Sequence, residues 1–299
     1  MLTKARENII TALCVALNAL STVGLVFLSK IVFSDEQLKH CQVGFVIWHF
    51  IVTSLVLYVS STRLFRLFNP IRLSVRAMLP ICLFFAGYVI LGNLSLANNS
   101  IGTYQLAKIM TTPSVVIINF ILFRKTIDRY RVGAIIAVCI GVSLTITEEA
   151  RSNLVGIIFA TAAFIITAFY QIWIGKKITD LDVSAPQLLM NQAPLAVLLL
   201  IPFVPFFDTM PNLSQASSNA LWAVFGSGVM ASMINLSQFL IISRTSALTF
   251  NIVGHVKTIL ILGLGWYTEK AMPSEQEIIG IVLALWGGYA YSHFSMNAR

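Results

Sequence analysis

Charge is scarce in this chain. Asp, Glu, Lys and Arg together make up 11% of its 299 residues, and only 12 residues are acidic. With 57% hydrophobic residues and a mean hydropathy of +0.84, this composition excludes a water-soluble globular domain, in which about a quarter of residues are charged. Cysteine is scarcer still, with four residues. Cys14, Cys82 and Cys139 fall inside apolar runs and Cys41 at the edge of one, with no paired CxxC spacing, which points to neither a disulfide framework nor a zinc site. No Gly-rich phosphate loop, HExxH motif or Ser/His/Asp spacing occurs, so no catalytic residue, metal or cofactor is expected, and the chain does not read as an enzyme.

What the chain has in abundance is apolar sequence. Stretches near the length of about 20 residues that spans a bilayer core recur ten times, at residues 8–32, 43–61, 77–97, 101–123, 132–147, 154–174, 187–206, 220–243, 247–267 and 278–294. Numbered as runs 1 to 10, they predict an all-α integral membrane protein of ten transmembrane helices. No connection exceeds about 15 residues, so no soluble domain is inserted. Run 1 is too long for the core of a signal peptide and no small-residue cleavage site follows it, so no cleaved targeting segment is expected.

The net charge of +8 invites a nucleic-acid reading, but the positions of the charges argue against it. With the N-terminus in the cytosol, fourteen Lys and Arg residues fall on the cytosolic side, against Lys39, Arg151 and Lys270 on the other. The positive-inside rule then places both termini in the cytosol and requires an even number of spans. Ten spans divide into two five-helix repeats, 1–147 and 148–299, which together form one transport domain. Because five is odd, the halves enter the membrane in opposite orientations, as in many carriers. A sequence echo supports this: TYQLAKIMTT at 103–112 lies over TFNIVGHVKT at 249–258, matching Tyr104 with Phe250, Gln105 with Asn251 and Thr112 with Thr258.

Lys30, Lys108 and Lys257 lie within the apolar runs. A lysine at the centre of a transmembrane helix costs about 2.5–3.5 kcal/mol on insertion scales. Lys257 is about 15 Å of helix from either end of run 9, too far for easy snorkelling, whereas Lys30 is near enough to a helix end to reach the interface. No Asp or Glu lies inside any of the ten runs, so a buried carboxylate partner is not in sight. Cations without carboxylates in a membrane are what an anionic ligand needs, because its phosphates complete the charge pairing on arrival.

Helical geometry extends the candidate site. At 100° per residue, Lys257, Gly254, Thr258, Asn251 and His255 spread over an arc of about 160° on run 9. Run 4 presents Tyr104, Lys108, Thr111, Thr112 and Asn119 at similar spacing, with Gln105 beside them. His49, Asn93, Tyr170, Gln171, Asn191, Gln192, Asn235 and Gln238 are further polar candidates within the runs, each of which could equally serve an interhelical hydrogen bond. Gly226, Gly228, Gly287 and Gly288 mark close helix packing.

The segments NLSLANNSIGTYQLAKIMTTPSVVI (93–117), NQAPL (191–195) and NLSQFLIISRTSALTFNIVGHVKTILILGLGW (235–266) resemble the nucleotide-sugar transporter and triose-phosphate translocator family, within the drug/metabolite transporter superfamily. The resemblance spans nearly the whole chain. It implies ten helices in two inverted repeats, cytosolic termini, and exchange of one phosphorylated solute for another. Plastid phosphate translocators of the family carry a Lys-Arg pair where this chain has Lys257-Thr258, and the Lys-Thr form is similar to the UDP-sugar branch of the Golgi. By the same match Lys108 and Lys257 correspond to phosphate-binding lysines, and Ser29-Lys30 replaces an Asn-Lys of the first helix.

The resulting expectation is a secondary antiporter exchanging a cytosolic nucleotide sugar, a UDP-sugar, for a luminal nucleoside monophosphate in the Golgi membrane, or alternatively in the endoplasmic reticulum. Lys108 and Lys257 would bind phosphates, Thr258 and Asn251 phosphate or sugar, and Tyr104 the base, with His255, Gln105, Lys30, His49, Asn93, Asn191 and Asn235 as further candidates. The partners are those solutes and membrane lipid; no nucleic acid is expected, and a homodimer is compatible with such a chain. The alternatives are a sugar-phosphate/phosphate antiporter and, in another class, a non-transporting membrane scaffold or receptor.

Overall fold

The structure, a computed structural model, describes residues 2–99, 104, 107–145, 154–251, 254, 257 and 274–297. Among these residues the regular structure is all helical. The helices are α1 (Leu2–Ser34), α2 (Gln42–Ser61), α3 (Val75–Asn98), α4 (Thr111–Phe123), α5 (Arg129–Thr145), α6 (Leu154–Asp180), α7 (Ala185–Leu200), α8 (Ser218–Arg244) and a C-terminal helix (Glu275–Asn297). A helical turn at 107–109 precedes α4, two short turns to Phe207 extend α7, and residues 247–251 of run 9 are helical. Six of the described helices are long and apolar enough to cross a membrane, and Ala107–Phe123 is a shorter apolar helix.

On α1 burial is inverted relative to a soluble protein. Leu13 and Leu20 are 63% and 73% exposed, while Asn18 is fully buried and Ser21 nearly so. In lipid the tails solvate leucine, and every polar group must be satisfied inside the protein. The chain is accordingly an integral membrane protein.

The chain forms two compact units, each drawing on both halves of the sequence: residues 1–86 with 173–244, and residues 87–172 with 245–299. The boundary passes through α3 and α6.

In the first unit α1 and α2 pack against α8 along a polar seam. Asn18 Nδ2 donates to Ser237 Oγ at 2.8 Å and to the Ile234 carbonyl at 3.1 Å. Trp48 Nε1 donates to the Val224 carbonyl at 2.8 Å, His49 Nε2 lies 3.2 Å from Ser227 Oγ, and Asn235 Nδ2 donates to Thr53 Oγ1 at 3.3 Å. Gly228 permits this approach, since a Cβ there would lie 2.7 Å from Val52 Cγ2. At one end the helix starts exchange carboxylate caps. Asp208, before α8, accepts from Val43 and Gly44 N–H at 2.9 and 2.5 Å, while Asp35, before α2, accepts from Ser217 N–H at 2.9 Å. Each acid satisfies orphan donors at the positive end of a helix dipole.

In the second unit the C-terminal helix packs against α5. A Cβ at Gly141 would lie 2.5 Å from the backbone of Ala284 and Gly280, and one at Gly287 would lie 2.7 Å from the Ala134 carbonyl. Two helices in backbone contact tolerate no side chain between them. α3 and α6 meet where Asn99 Nδ2 donates to the Gly156 carbonyl at 2.9 Å, with the Tyr88 and Tyr170 rings 5.2 Å apart.

Candidate functional site

Both central lysines belong to the second unit. The approach to α4 is anchored by Ile109, buried with Val138 and Ala284 against α5 and the C-terminal helix. One residue earlier, Lys108 projects from the adjacent position and is exposed. Its ammonium lies 4.2 Å from the centroid of the Tyr104 ring. Tyr104 itself reaches α3, where a Cβ on Gly92 would be 3.5 Å from its hydroxyl.

Run 9 starts at a cap: Ser246 Oγ accepts from Thr249 N–H at 3.1 Å, and Leu248 packs on the Ala134, Ala290 and Tyr291 cluster. Phe250 and Asn251 are buried, as is Lys257, whose ammonium lies 5.0 Å from the centroid of Phe250. Seven residues make nearly two helical turns, so Phe250 and Lys257 share a face. A cation over an aromatic face is worth about 0.5–2 kcal/mol, which offsets part of the roughly 2.5–3.5 kcal/mol that a central lysine costs.

Uncommitted polar atoms lie in the same unit. Asn93 Nδ2, Gln171 Oε1 and Asn251 Nδ2 are buried with no hydrogen-bond partner among the described residues. Each such atom costs about 1–3 kcal/mol, and a bound polar solute is one means of satisfying it.

The other candidates sort by their contacts. His49 and Asn235 are engaged in the seam between α2 and α8, and His49 also packs its ring 4.3 Å from that of Phe45. Asn191 Nδ2 donates to the carbonyls of Ile71 and Gln187 at 2.7 and 2.8 Å, and its Oδ1 accepts from Leu73 N–H at 2.9 Å, so it holds the α2–α3 connection against α7. Lys30, near the end of α1, is exposed. These four belong to the first unit. His255, Thr258 and Gln105 lie outside the described residues. Phe250 was absent from the sequence candidates, although its alignment with Tyr104 was the available signal: each lysine rests on the aromatic at the matched position.

The profile of the triose-phosphate transporter family matches residues 12–292. The chain belongs to that family. As a family member it is a transporter and not an enzyme. Among curated relatives, it is 31% identical over 295 residues to UDP-rhamnose/UDP-galactose transporter 1 of Arabidopsis thaliana, covering 93% of this chain and 81% of the relative. Identity to UDP-xylose transporter 2 of the same plant is 29% over 284 residues, covering 93% and 80%. A solved crystal structure shares the fold at a TM-score of 0.68, with 13% identity and 99% of each chain covered.

Proposed function

We propose that this family member is a secondary antiporter that carries a UDP-sugar from the cytosol into the Golgi lumen and returns a nucleoside monophosphate. The observation that carries the reading is the pair Lys108 and Lys257, two lysines of one unit, each over an aromatic ring, in a chain with no acidic residue in any membrane run. A diphosphate or monophosphate supplies the opposite charge that the runs lack. The curated relatives are named for UDP-sugars, which supports the cargo class. In this reading Tyr104 and Phe250 hold the two ammonium groups in place, and Asn251, with Thr258 beside Lys257, takes phosphate or sugar oxygens.

The proposal includes ten spans in two inverted repeats, 1–147 and 148–299, with both termini cytosolic, on the strength of the charge asymmetry and the 103–112/249–258 echo. Exchange follows from the charges. An empty carrier must desolvate two cations as its cavity closes, whereas a bound phosphate neutralises them. The test is uptake of labelled UDP-sugars into liposomes that are empty, loaded with UMP, or loaded with inorganic phosphate. UMP-dependent uptake supports the proposal, and equal uptake into empty vesicles refutes obligatory exchange. The family's name favours one second reading, a sugar-phosphate/phosphate antiporter. Phosphate as the sole effective counter-substrate would establish it.

A further inference from the structure

The α2–α3 connection, residues 62–74, carries Arg63, Arg66 and Arg72, and Arg76 follows in the first turn of α3. All four are exposed. No Asp or Glu occurs between Glu36 and Asp128. Among the described residues the ion pairs are Arg131–Asp128, Lys176–Asp180 and Arg244–Glu7, so none of these four arginines takes part in one.

Interleaved with the arginines stand Leu64, Phe65, Leu67 and Ile71, which are 83%, 53%, 73% and 42% exposed. The segment is nevertheless tied down. Gln187 Nε2 donates to the Asn69 carbonyl at 2.7 Å, Asn191 grips Ile71 and Leu73 from α7, and Leu67 N–H donates to the Ser60 carbonyl at 3.0 Å. At Arg66 the backbone turns through φ 45°, which folds the strap back on the end of α2.

We propose that this strap is a binding site for the phosphate headgroups of anionic lipids in the leaflet it faces. It joins two membrane-capable helices, so it lies at the membrane surface. Topology alone accounts for basic residues at a helix end. It accounts neither for the exposed leucines and phenylalanine between them nor for the hydrogen bonds that hold the segment in one conformation. A membrane interface takes both kinds of side chain at once: guanidinium groups pair with headgroup phosphates, and the apolar side chains enter the boundary with the acyl chains. A soluble phosphate compound would engage the arginines and leave Leu64, Phe65, Leu67 and Ile71 in water, which is why the occupant is a lipid. Pre-organisation by Gln187 and Asn191 lowers the entropy lost on binding.

The experiment compares the full chain with the R63Q/R66Q/R72Q/R76Q variant in nanodiscs of phosphatidylcholine alone and of phosphatidylcholine with phosphatidylserine. Melting temperature and the lipid retained in native mass spectra are the readouts. The wild type is expected to melt higher with phosphatidylserine and to retain it, and the variant to lose that rise and about tenfold or more of the retained anionic lipid while melting as the wild type does in phosphatidylcholine. If the quadruple variant does not fold, R63Q/R66Q serves, with a partial loss expected. The same phosphatidylserine-dependent rise in wild type and variant overturns the proposal. So does an equal rise with soluble glycerophosphoserine, which would make the strap a site for free phosphate.

Discussion

The ammonium of Lys108 lies 4.2 Å over the ring of Tyr104, one helical turn before it. The contact aims a cation that a flexible four-carbon stem would otherwise leave wandering. If it serves the transported anion, Tyr104→Leu should raise the KM for UDP-sugar about 2- to 30-fold, the range that a cation–π contact of about 0.5–2 kcal/mol covers. Tyr104→Phe keeps the ring and should keep most of the affinity. Equal KM values for all three proteins in liposome exchange would remove Tyr104 from the site.

Lys257 separates ligand binding from structure. Lys257→Ala should abolish exchange and the UMP-induced rise in melting temperature, while the ligand-free protein melts at least as high as the wild type, because a costly buried cation is gone. Lys257→Arg keeps the charge and should retain partial binding. A fall in the ligand-free melting temperature of the alanine variant would instead make Lys257 a structural member of its unit.

Asn251 offers a quieter test. Its Nδ2 is buried without a hydrogen-bond partner among the described residues, so Asn251→Ala removes a group that destabilises the empty protein. Ligand-free melting should hold or rise, and the UMP-induced shift should shrink. An unchanged shift would show that the amide does not meet the nucleotide.

The α5 interface should respond to a single methyl. A Cβ on Gly141 would meet backbone at 2.5 Å, whereas one on Gly133 would meet nothing within 4 Å. Gly141→Ala should therefore cost about 1–3 kcal/mol through forced separation of the helices, and Gly133→Ala should leave melting unchanged or slightly higher. Paired melting curves decide it.

Asp35 provides a pH test at the surface. Its hydrogen bonds from Ser217, backbone and side chain, hold its carboxyl below the usual range. A depressed folded-state pKa means that its stabilisation is complete above the unfolded value of about 3.9 and lost as pH falls through the lower folded value. The melting difference between wild type and Asp35→Ala should stay constant from neutral pH down to about 5 and disappear only in stronger acid. A difference that vanishes near pH 6 would assign the effect to another group.

Much of the molecule could be read from the chain. Helix ends near the described ones, the membrane class and the interior lysines all follow from residue-by-residue transfer energies. The polar candidates could not be sorted in the same way. Asn191 and Asn251 look alike in a sequence, each a single amide in an apolar run. The partners of Asn191 at Ile71 and Leu73 lie 120 and 118 residues away, and Asn251 Nδ2 meets no partner among the described residues. His49 likewise has a hydroxyl 178 residues distant. Phe250 passed as ordinary hydrophobic content because its role depends on a lysine two turns on and on the rotation of the helix that carries both.

The sequence by itself determined that this protein lives in a membrane, that most of its basic residues stand between the apolar runs, and that Lys108 and Lys257 need an explanation. Those properties add along a single helix, because transfer to lipid is a sum over its own residues. Only the tertiary structure decided which polar groups hold the helices together and which stay uncommitted. It also interleaved the two halves of the chain into two units and put the two lysines, 149 positions apart in the chain, into the same one. A hydrogen bond is directional and needs its partner within about 3 Å. Which groups come that close depends on how the helices pack, a matter of fitted surfaces that no single helix carries.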